Sequence, residues 1–316
     1  MKREAVVQSN ASILISGARV VVVGGTQGIG EGVAARFARA GAEVWIVGRN
    51  ESKANTVLEK LKATSQEHKI APAPMHHFIK ADLSLIAEAK RVAEDIRANA
   101  GPQGVDYLVM CHGGPPNGTF KLTSEGHEEH YAVQVLSRFI LAYKLAVEAT
   151  PVVTKGVLSV MGPGKVLKTV DYDDLEQVKA HEEGNDGIFS ALSRDTVSVD
   201  ILTEELAQRN GDVIFTHVFP GAVKTNYASN NSLPWYLNAV SKVALLFMGE
   251  TPESYAEVPF YILANPKGRA ATADAPFWNE KVDKLEPDPS TREKSNRTKV
   301  WDNLMATLGP PLSNLS

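Results

Sequence analysis

Through the first two thirds of the chain, short apolar runs alternate with segments whose apolar positions recur at helical spacing. Residues 19–23, 43–47, 77–81, 106–111, 156–160 and 213–219 read as buried strands, because each is largely apolar and bounded by turn residues. Residues 30–40, 51–64, 85–98, 124–149 and 190–210 read as helices between them. This alternation predicts an α/β fold with a doubly wound parallel sheet, covered by helices on both faces. From residue 229 the pattern loosens into apolar helices near 235–247 and 253–263. A polar, Pro-containing tail (Pro287, Pro289) follows, with a last helix over 291–308. The organisation expected is an N-terminal extension over 1–17, a single domain over 18–265 and a C-terminal helical extension over 266–316. The extension holds too little core for a domain of its own.

The first strand runs straight into a glycine-rich turn. Val20-Val21-Val22-Val23 continues as Gly24-Gly25-Thr26-Gln27-Gly28-Ile29-Gly30, and the helix follows at once. Glycines remove side chains where a backbone must approach a pyrophosphate, and a helix N-terminus offers N–H groups and a positive dipole end. Gly24, Thr26, Gln27, Gly28, Ile29 and Gly30 therefore make a candidate dinucleotide site. The plainer reading is a tight strand-to-helix turn.

Ligands of open α/β sheets sit beyond the carboxyl ends of the strands. After the second strand comes Gly48-Arg49-Asn50. A carboxylate there would bind an adenosine ribose and repel a 2′-phosphate, whereas Arg49 offers phosphate oxygens a fixed fork of donors, with Asn50 beside it. That favours NADP over NAD. After the third strand, Asp82-Leu83-Ser84 suggests either an acceptor for an adenine amino group or a cap for the next helix.

Composition narrows the partners. The 316 residues carry a formal charge of −4, and 43% are hydrophobic. A large core is within reach, and there is no basic footprint for nucleic acid. One cysteine, Cys111, excludes an intrachain disulfide and fits a reducing compartment. The first nine residues lack a signal-peptide core, and Lys242 interrupts the most apolar late stretch. These features predict a soluble cytoplasmic protein with no membrane partner. Segment 229–250, with Leu233, Trp235, Tyr236, Leu237 and Val240, reads as a lid for a hydrophobic substrate.

The spacing Gly24-x-x-x-Gly28-x-Gly30 resembles the TGxxxGxG of the short-chain dehydrogenase/reductase family, with Val23 in place of the usual Thr. Asp106-Tyr107-Leu108-Val109-Met110-Cys111-His112-Gly113 resembles the strand that ends in NNAG, although Met110 and Cys111 replace the asparagines. Pro220-Gly221-Ala222-Val223-Lys224-Thr225 is similar to the PGxVxT loop. The resemblance spans residues 18–226. It implies a Rossmann fold, an NADP(H)-dependent oxidoreductase, and a cofactor touched also by Gly113, Pro220, Gly221, Val223 and Thr225. Association through the two long helices in the middle of the sheet is common in the family and leaves a homo-oligomer open. Trp45-Ile46-Val47-Gly48-Arg49-Asn50 and His217-Val218-Phe219-Pro220-Gly221 look like a divergent fungal branch, often found in secondary metabolism.

The resemblance also implies a tetrad of Asn, Ser, Tyr and Lys, in which an ammonium favours the phenolate and the Ser polarises a carbonyl. Ser159, in Ser159-Val160-Met161-Gly162, fits the serine; Gln134, in Tyr131-Ala132-Val133-Gln134, falls at the asparagine. No tyrosine has a lysine four residues later. One register places Ser190 and Arg194 at the Tyr and Lys positions; another, free of gaps, places Leu192 and Thr196 there. Tyr172, thirteen residues beyond Ser159, is a stand-in phenol among Asp171, Asp173 and Asp174; Tyr227 is a weaker one. Arg194 supplies charge without shuttling a proton.

Other features read blandly. His127 and His130 suggest a surface pair, with no metal site implied. Glu128-Glu129 and Glu182-Glu183 suggest solvated faces, and Cys111 a small core residue. His112, at a strand end, is open to a ligand-binding or a structural role. Two functions follow: a carbonyl reductase or alcohol dehydrogenase, or a scaffold that has left redox chemistry for isomerase, cyclase, dehydratase or silent binding work.

Overall fold

Seven parallel strands form one sheet in the order β3-β2-β1-β4-β5-β6-β7. The computed structural model describes residues 3–114, 116–225 and 249–309. The strands are β1 (Arg19–Val23), β2 (Glu43–Gly48), β3 (His77–Lys80), β4 (Val105–Met110), β5 (Val153–Val160), β6 (Ile214–Val218) and β7 (Phe277–Trp278). The helices before β5 are α1 (Arg3–Asn10), α2 (Gly28–Arg39), α3 (Glu51–Glu67), α4 (Ile86–Ala100), α5 (Glu129–Tyr131) and α6 (Ser137–Ala146). Those after it are α7 (Val178–Glu182), α8 (Ile188–Arg209), α9 (Pro252–Tyr255), α10 (Glu257–Ala264), α11 (Pro266–Thr272) and α12 (Lys294–Ala306).

The valine run of β1 lies in the middle of the sheet and is buried on both faces. Val21 and Val23 join one core with α4, α6, α8 and α12, while Val20 and Val22 join the other with α2, α3 and α10. Burial on both faces is why β1 reads as continuous rather than alternating. From β1 the chain winds outward to β3; from β4 it winds the other way to β7. The winding reverses between β1 and β4, and beyond the carboxyl ends of such a pair is where open α/β sheets place a ligand crevice.

The helix expected over 124–149 is not uniform. A π-helical turn, Ala132–Leu136, separates α5 from α6. Such turns insert one residue into the helical ladder and re-aim the side chains around them.

The extensions are part of the fold. β7 pairs with β6, and α12 buries Val300 and Leu304 in the core shared with α6 and α8. Trp301 lies edge-on to Phe139 at 5.7 Å, and the Arg209 guanidinium stacks 3.6 Å over its ring. At the other end, Arg3 pairs with Glu250 at 2.6 Å and Asn10 donates to Glu257 at 2.8 Å. The lid segment, apart from residues 249 and 250, lies outside the described residues, as do the helix expected at 235–247 and Tyr227.

Candidate active site

The glycine turn closes tightly on its neighbours. Gly24 and Gly28 have φ of +78° and +57°, values that favour glycine. A Cβ on Gly24 would lie 2.7 Å from the His112 backbone, and one on Gly30 would lie 2.2 Å from the Gly24 carbonyl oxygen. The Gln27 side chain does not cap α2, whose N-terminus follows the glycine turn directly and would suit an anionic ligand. Thr225 Cγ2 stands 3.2 Å from where a Gly28 Cβ would be, which brings the Pro220–Thr225 loop onto the turn. Gly221 has φ of +67°, and Val223 is buried. Glu250 bridges this loop, donating to the Ala222 carbonyl at 2.8 Å and accepting from Lys224 N at 2.7 Å.

On the β2 side, Thr26 packs at Gly48, and Gln27 Oε1 accepts from Lys53 at 2.6 Å. Arg49 is exposed and forms no ion pair with a described residue. Asn50 accepts from Lys53 N at 2.9 Å and so caps α3. Asp82 Oδ1 accepts from Ser84 N and Oγ at 3.1 and 2.9 Å, while Leu83 is buried. The expected cap on α4 is corrected: neither Asp82 nor Ser84 provides it. The Glu125 carboxylate accepts from Ile86 N and, at 3.0 Å, from Ala87 N.

The loop after β4 rests on a buried cation. Arg138 is fully buried on α6, and its guanidinium donates to the Gln134 carbonyl, the Gln134 side-chain oxygen and the His112 carbonyl, each at 2.7 Å. It also reaches the Val160 carbonyl at 3.4 Å, joining the ends of β4 and β5 to the π-helical turn. Burial, with no carboxylate bonded to it, lowers its pKa to about 10. Gln134 in turn donates to the Gly114 carbonyl. A Cβ on Gly113 (φ +87°) would fall 2.3 Å from Gln134 Oε1. Gln134 therefore braces the Gly113 loop, a longer amide reaching it through the extra residue of the π-helical turn. The sequence signal for this brace is Arg138, one helical turn after Gln134.

His112 is held by Ser137. Its Nε2 lies 2.8 Å from Ser137 Oγ, which donates to the Val133 carbonyl at 2.8 Å, so Nε2 carries the proton. Burial first, and then the Arg138 charge, hold its pKa well below the ordinary value, and the ring stays neutral. Cys111 is a core thiol whose pKa burial pushes up to about 12.

The four residues expected to carry chemistry are not gathered around one point. Ser159 stands on β5 abreast of Met110 and His217, on the sheet face covered by α6 and α8. The Tyr172 hydroxyl is 2.8 Å from Ser290 Oγ, and burial raises its pKa, opposite to an activated phenol. Arg194 lies inside the protein with Glu128 at 3.1 Å and Asp195 at 2.8 Å. Helix α8 instead turns other groups to the loop after β5. Ser193 Oγ accepts from Leu167 N at 2.9 Å, Thr196 Oγ1 donates to the Gly162 carbonyl at 3.1 Å, and Asp200 accepts from Gly164 N at 3.0 Å. Thr196 holds the Lys position of the gap-free register, while Ser190, at the Tyr position of the other, bonds to Gln177 at 2.6 Å.

Two surface readings are also corrected. Glu128 is buried, capping α5 through His130 N and Tyr131 N at 2.8 Å each while it pairs with Arg194. His127 and His130 meet carboxylates, Glu176 and Asp195, at 2.9 Å each. Sequence spacing could not show these partners, which arrive from the loop before α7 and from α8.

Residues 18–151 match the family model described as short chain dehydrogenase. Over that stretch, which is less than half of the chain, the protein is similar to the short-chain dehydrogenase/reductase family. It is 28% identical over 213 residues to an oxidoreductase of Emericella nidulans, an alignment covering 66% of this chain and 59% of the relative. It is 23% identical over 255 residues to human polyprenol dehydrogenase, covering 78% and 72% respectively. The fold is shared with a short-chain dehydrogenase from Burkholderia cenocepacia solved in complex with NADP (TM-score 0.54, 18% identity, covering 81% of this chain and 93% of that one). Among the described residues, no helix is long and apolar enough to cross a membrane.

Proposed function

We propose that the protein is an NADP(H)-dependent oxidoreductase acting on the carbonyl or alcohol of a hydrophobic small molecule. The observation that carries this reading is Arg49, exposed at the carboxyl end of β2 with no described acid to engage it. A free guanidinium there suits a 2′-phosphate. The glycine turn fits the remainder: with no Cβ at Gly24 or Gly30 the backbone folds closely against His112 and onto itself, which keeps the turn tight beneath the helix N-terminus where a pyrophosphate would sit. Gly28 to Gly30 would donate N–H groups to it, Asp82 would face the adenine, and Gly113, Gly221 and Thr225 would border the nicotinamide half. When bound, the cofactor supplies or accepts a hydride. The NADP-bound Burkholderia neighbour is consistent with this choice.

Exposed apolar side chains in the loop after β5 and at the start of α8 support the substrate class. The backbones of Leu167 and Phe189 are tied to one hydroxyl, Ser193 Oγ, which accepts from Leu167 N and donates to the Phe189 carbonyl, and both side chains are mostly exposed (60% and 64%). Exposed apolar pairs beside a crevice suit an apolar ligand. The name of the human relative, a polyprenol dehydrogenase, points the same way.

A second reading, a scaffold without redox activity, is favoured by Tyr172 and Arg194, whose polar groups are engaged away from Ser159. Fluorescence titration with NADPH and NADH, on the native protein and Arg49→Asp, separates the two. Tight NADPH binding that the variant loses, followed by NADPH oxidation with hydrophobic ketones, supports the reductase. No binding of either nucleotide supports the scaffold.

A further inference from the structure

We propose that Asp200, His217 and Ser159 form a proton relay that takes the place of the missing tyrosine and lysine. This rests on the oxidoreductase reading above and names the groups that would deliver its proton. The decisive relationship is a row across the sheet. Ser159 on β5 and His217 on β6 are paired Cα partners and so share one face. Side chains so placed in a sheet have Cβ atoms about 5 Å apart. Above them, α8 lowers Asp200 onto the imidazole, with Asp200 Oδ1 2.8 Å from His217 Nδ1, and both side chains are completely buried.

The other Asp200 oxygen accepts from Gly164 N, which anchors the carboxylate. Asp200 is thus an oriented acceptor that holds the Nδ1 proton and leaves Nε2 as the working nitrogen. Nε2 is buried and has no hydrogen-bond partner among the described residues. An unpartnered buried ring nitrogen costs free energy unless a group meets it during function. Ser159, abreast on the next strand, is the hydroxyl in register to do so. Catalytic hydrogen bonds are often long before a ligand binds and tighten afterwards.

In the reductive direction a reduced nicotinamide held at the glycine turn would supply the hydride that the carbonyl carbon accepts, and would itself be oxidised. The carbonyl oxygen takes the proton of Ser159 Oγ. Ser159 recovers a proton from His217 Nε2, and the imidazolium becomes a neutral ring still donating Nδ1–H to Asp200. A solvent proton restores the imidazolium, and alcohol oxidation runs the same transfers in reverse.

The test uses the full chain, native and as Ser159→Ala, His217→Gln, Asp200→Asn and Ser159→Ala/His217→Gln, with Thr203→Val as a control. The first readout needs no substrate: 15N spectra of the histidine rings with NADP present. Ser159→Ala should move the His217 Nε2 resonance, and Asp200→Asn should remove the downfield Nδ1 proton. The second readout is single-turnover NADPH oxidation with a hydrophobic ketone. Each single variant should lose about 100-fold or more with nucleotide affinity kept within twofold, and the double variant should lose no more than the worse single. A His217 resonance indifferent to Ser159→Ala, or native-like turnover in folded His217→Gln, overturns the relay. Failure of the native protein to bind NADP(H) instead overturns the oxidoreductase reading.

Discussion

Arg138 and Gln134, one helical turn apart, share two hydrogen bonds of 2.7 Å, one to the Gln134 backbone carbonyl and one to its side-chain oxygen. The same guanidinium holds the His112 carbonyl, so one cation fixes both the π-helical turn and the loop beyond β4. Arg138→Met strands these buried acceptors, at about 1–3 kcal/mol for each one left unpaired. A lowered urea midpoint with unchanged slope is the expected result. Arg138→Lys should recover only part, because an ammonium lacks the planar fork.

Gly30→Ala tests the turn without touching Arg49. Its Cβ would lie 2.2 Å from the Gly24 carbonyl oxygen, against backbone that has no room to give. The rise in melting temperature that saturating NADPH should give the native protein is expected to vanish in this variant. A full ligand-induced shift would contradict this placement of the pyrophosphate.

Acid should act on Asp195. Burial alone would raise its carboxyl, but Arg194 and then His130 outweigh that and hold it below the usual carboxylate range. The unfolded chain therefore binds this proton more readily than the folded one. The stabilisation is complete above the unfolded value of about 3.9 and is lost as pH falls through the lower folded value. Asp195→Asn leaves Arg194 short of a partner in the interior. It should cost about 3–5 kcal/mol at neutral pH and flatten the acid limb of a denaturation series below about pH 4.

His76 should add a second, earlier acid effect. Its Nδ1 accepts from Val44 N at 3.2 Å, and Nε2 meets Ser65 Oγ at 3.2 Å, so the ring is bonded in its neutral form. Burial lowers its pKa to about 4. Stability from this ring is present above the unfolded value of about 6.5 and declines as pH falls towards the folded value. The melting temperature should fall between pH 6.5 and 4, and His76→Phe should remove that portion of the slope.

Leu304 reports on the C-terminal helix. It is fully buried in the core shared with α6 and α8. Leu304→Ala should destabilise the whole protein by about 2–5 kcal/mol. A single unfolding transition, shifted as a whole, would show that the tail folds with the domain. A separate early transition would instead mark it as an appendage.

Strand and helix positions were legible because buried parallel strands must be apolar on both faces, as Val20 to Val23 are, and covering helices must carry an apolar stripe. The glycine turn was legible because backbone approach leaves no choice of residue at Gly24 and Gly30. Seven-stranded closure was not, since β7 is only Phe277–Trp278 and no periodicity shows in so short a run. The role of Glu125 was hidden for a different reason: it caps α4 from a loop 39 positions away.

By itself, then, the sequence determined the doubly wound sheet, the glycine turn and the position of Arg49 beside it, because each depends on local pattern and backbone sterics. It also determined that no Tyr-x-x-x-Lys pair exists. Only the tertiary structure decided where the polar groups went. It set Arg194 between Glu128 and Asp195, tied Tyr172 to Ser290, and laid His217 beside Ser159 beneath Asp200. Apart from the neighbours Arg194 and Asp195, those relationships join residues of different elements, and a buried charge or hydrogen bond takes its partner from whatever element the fold packs against it.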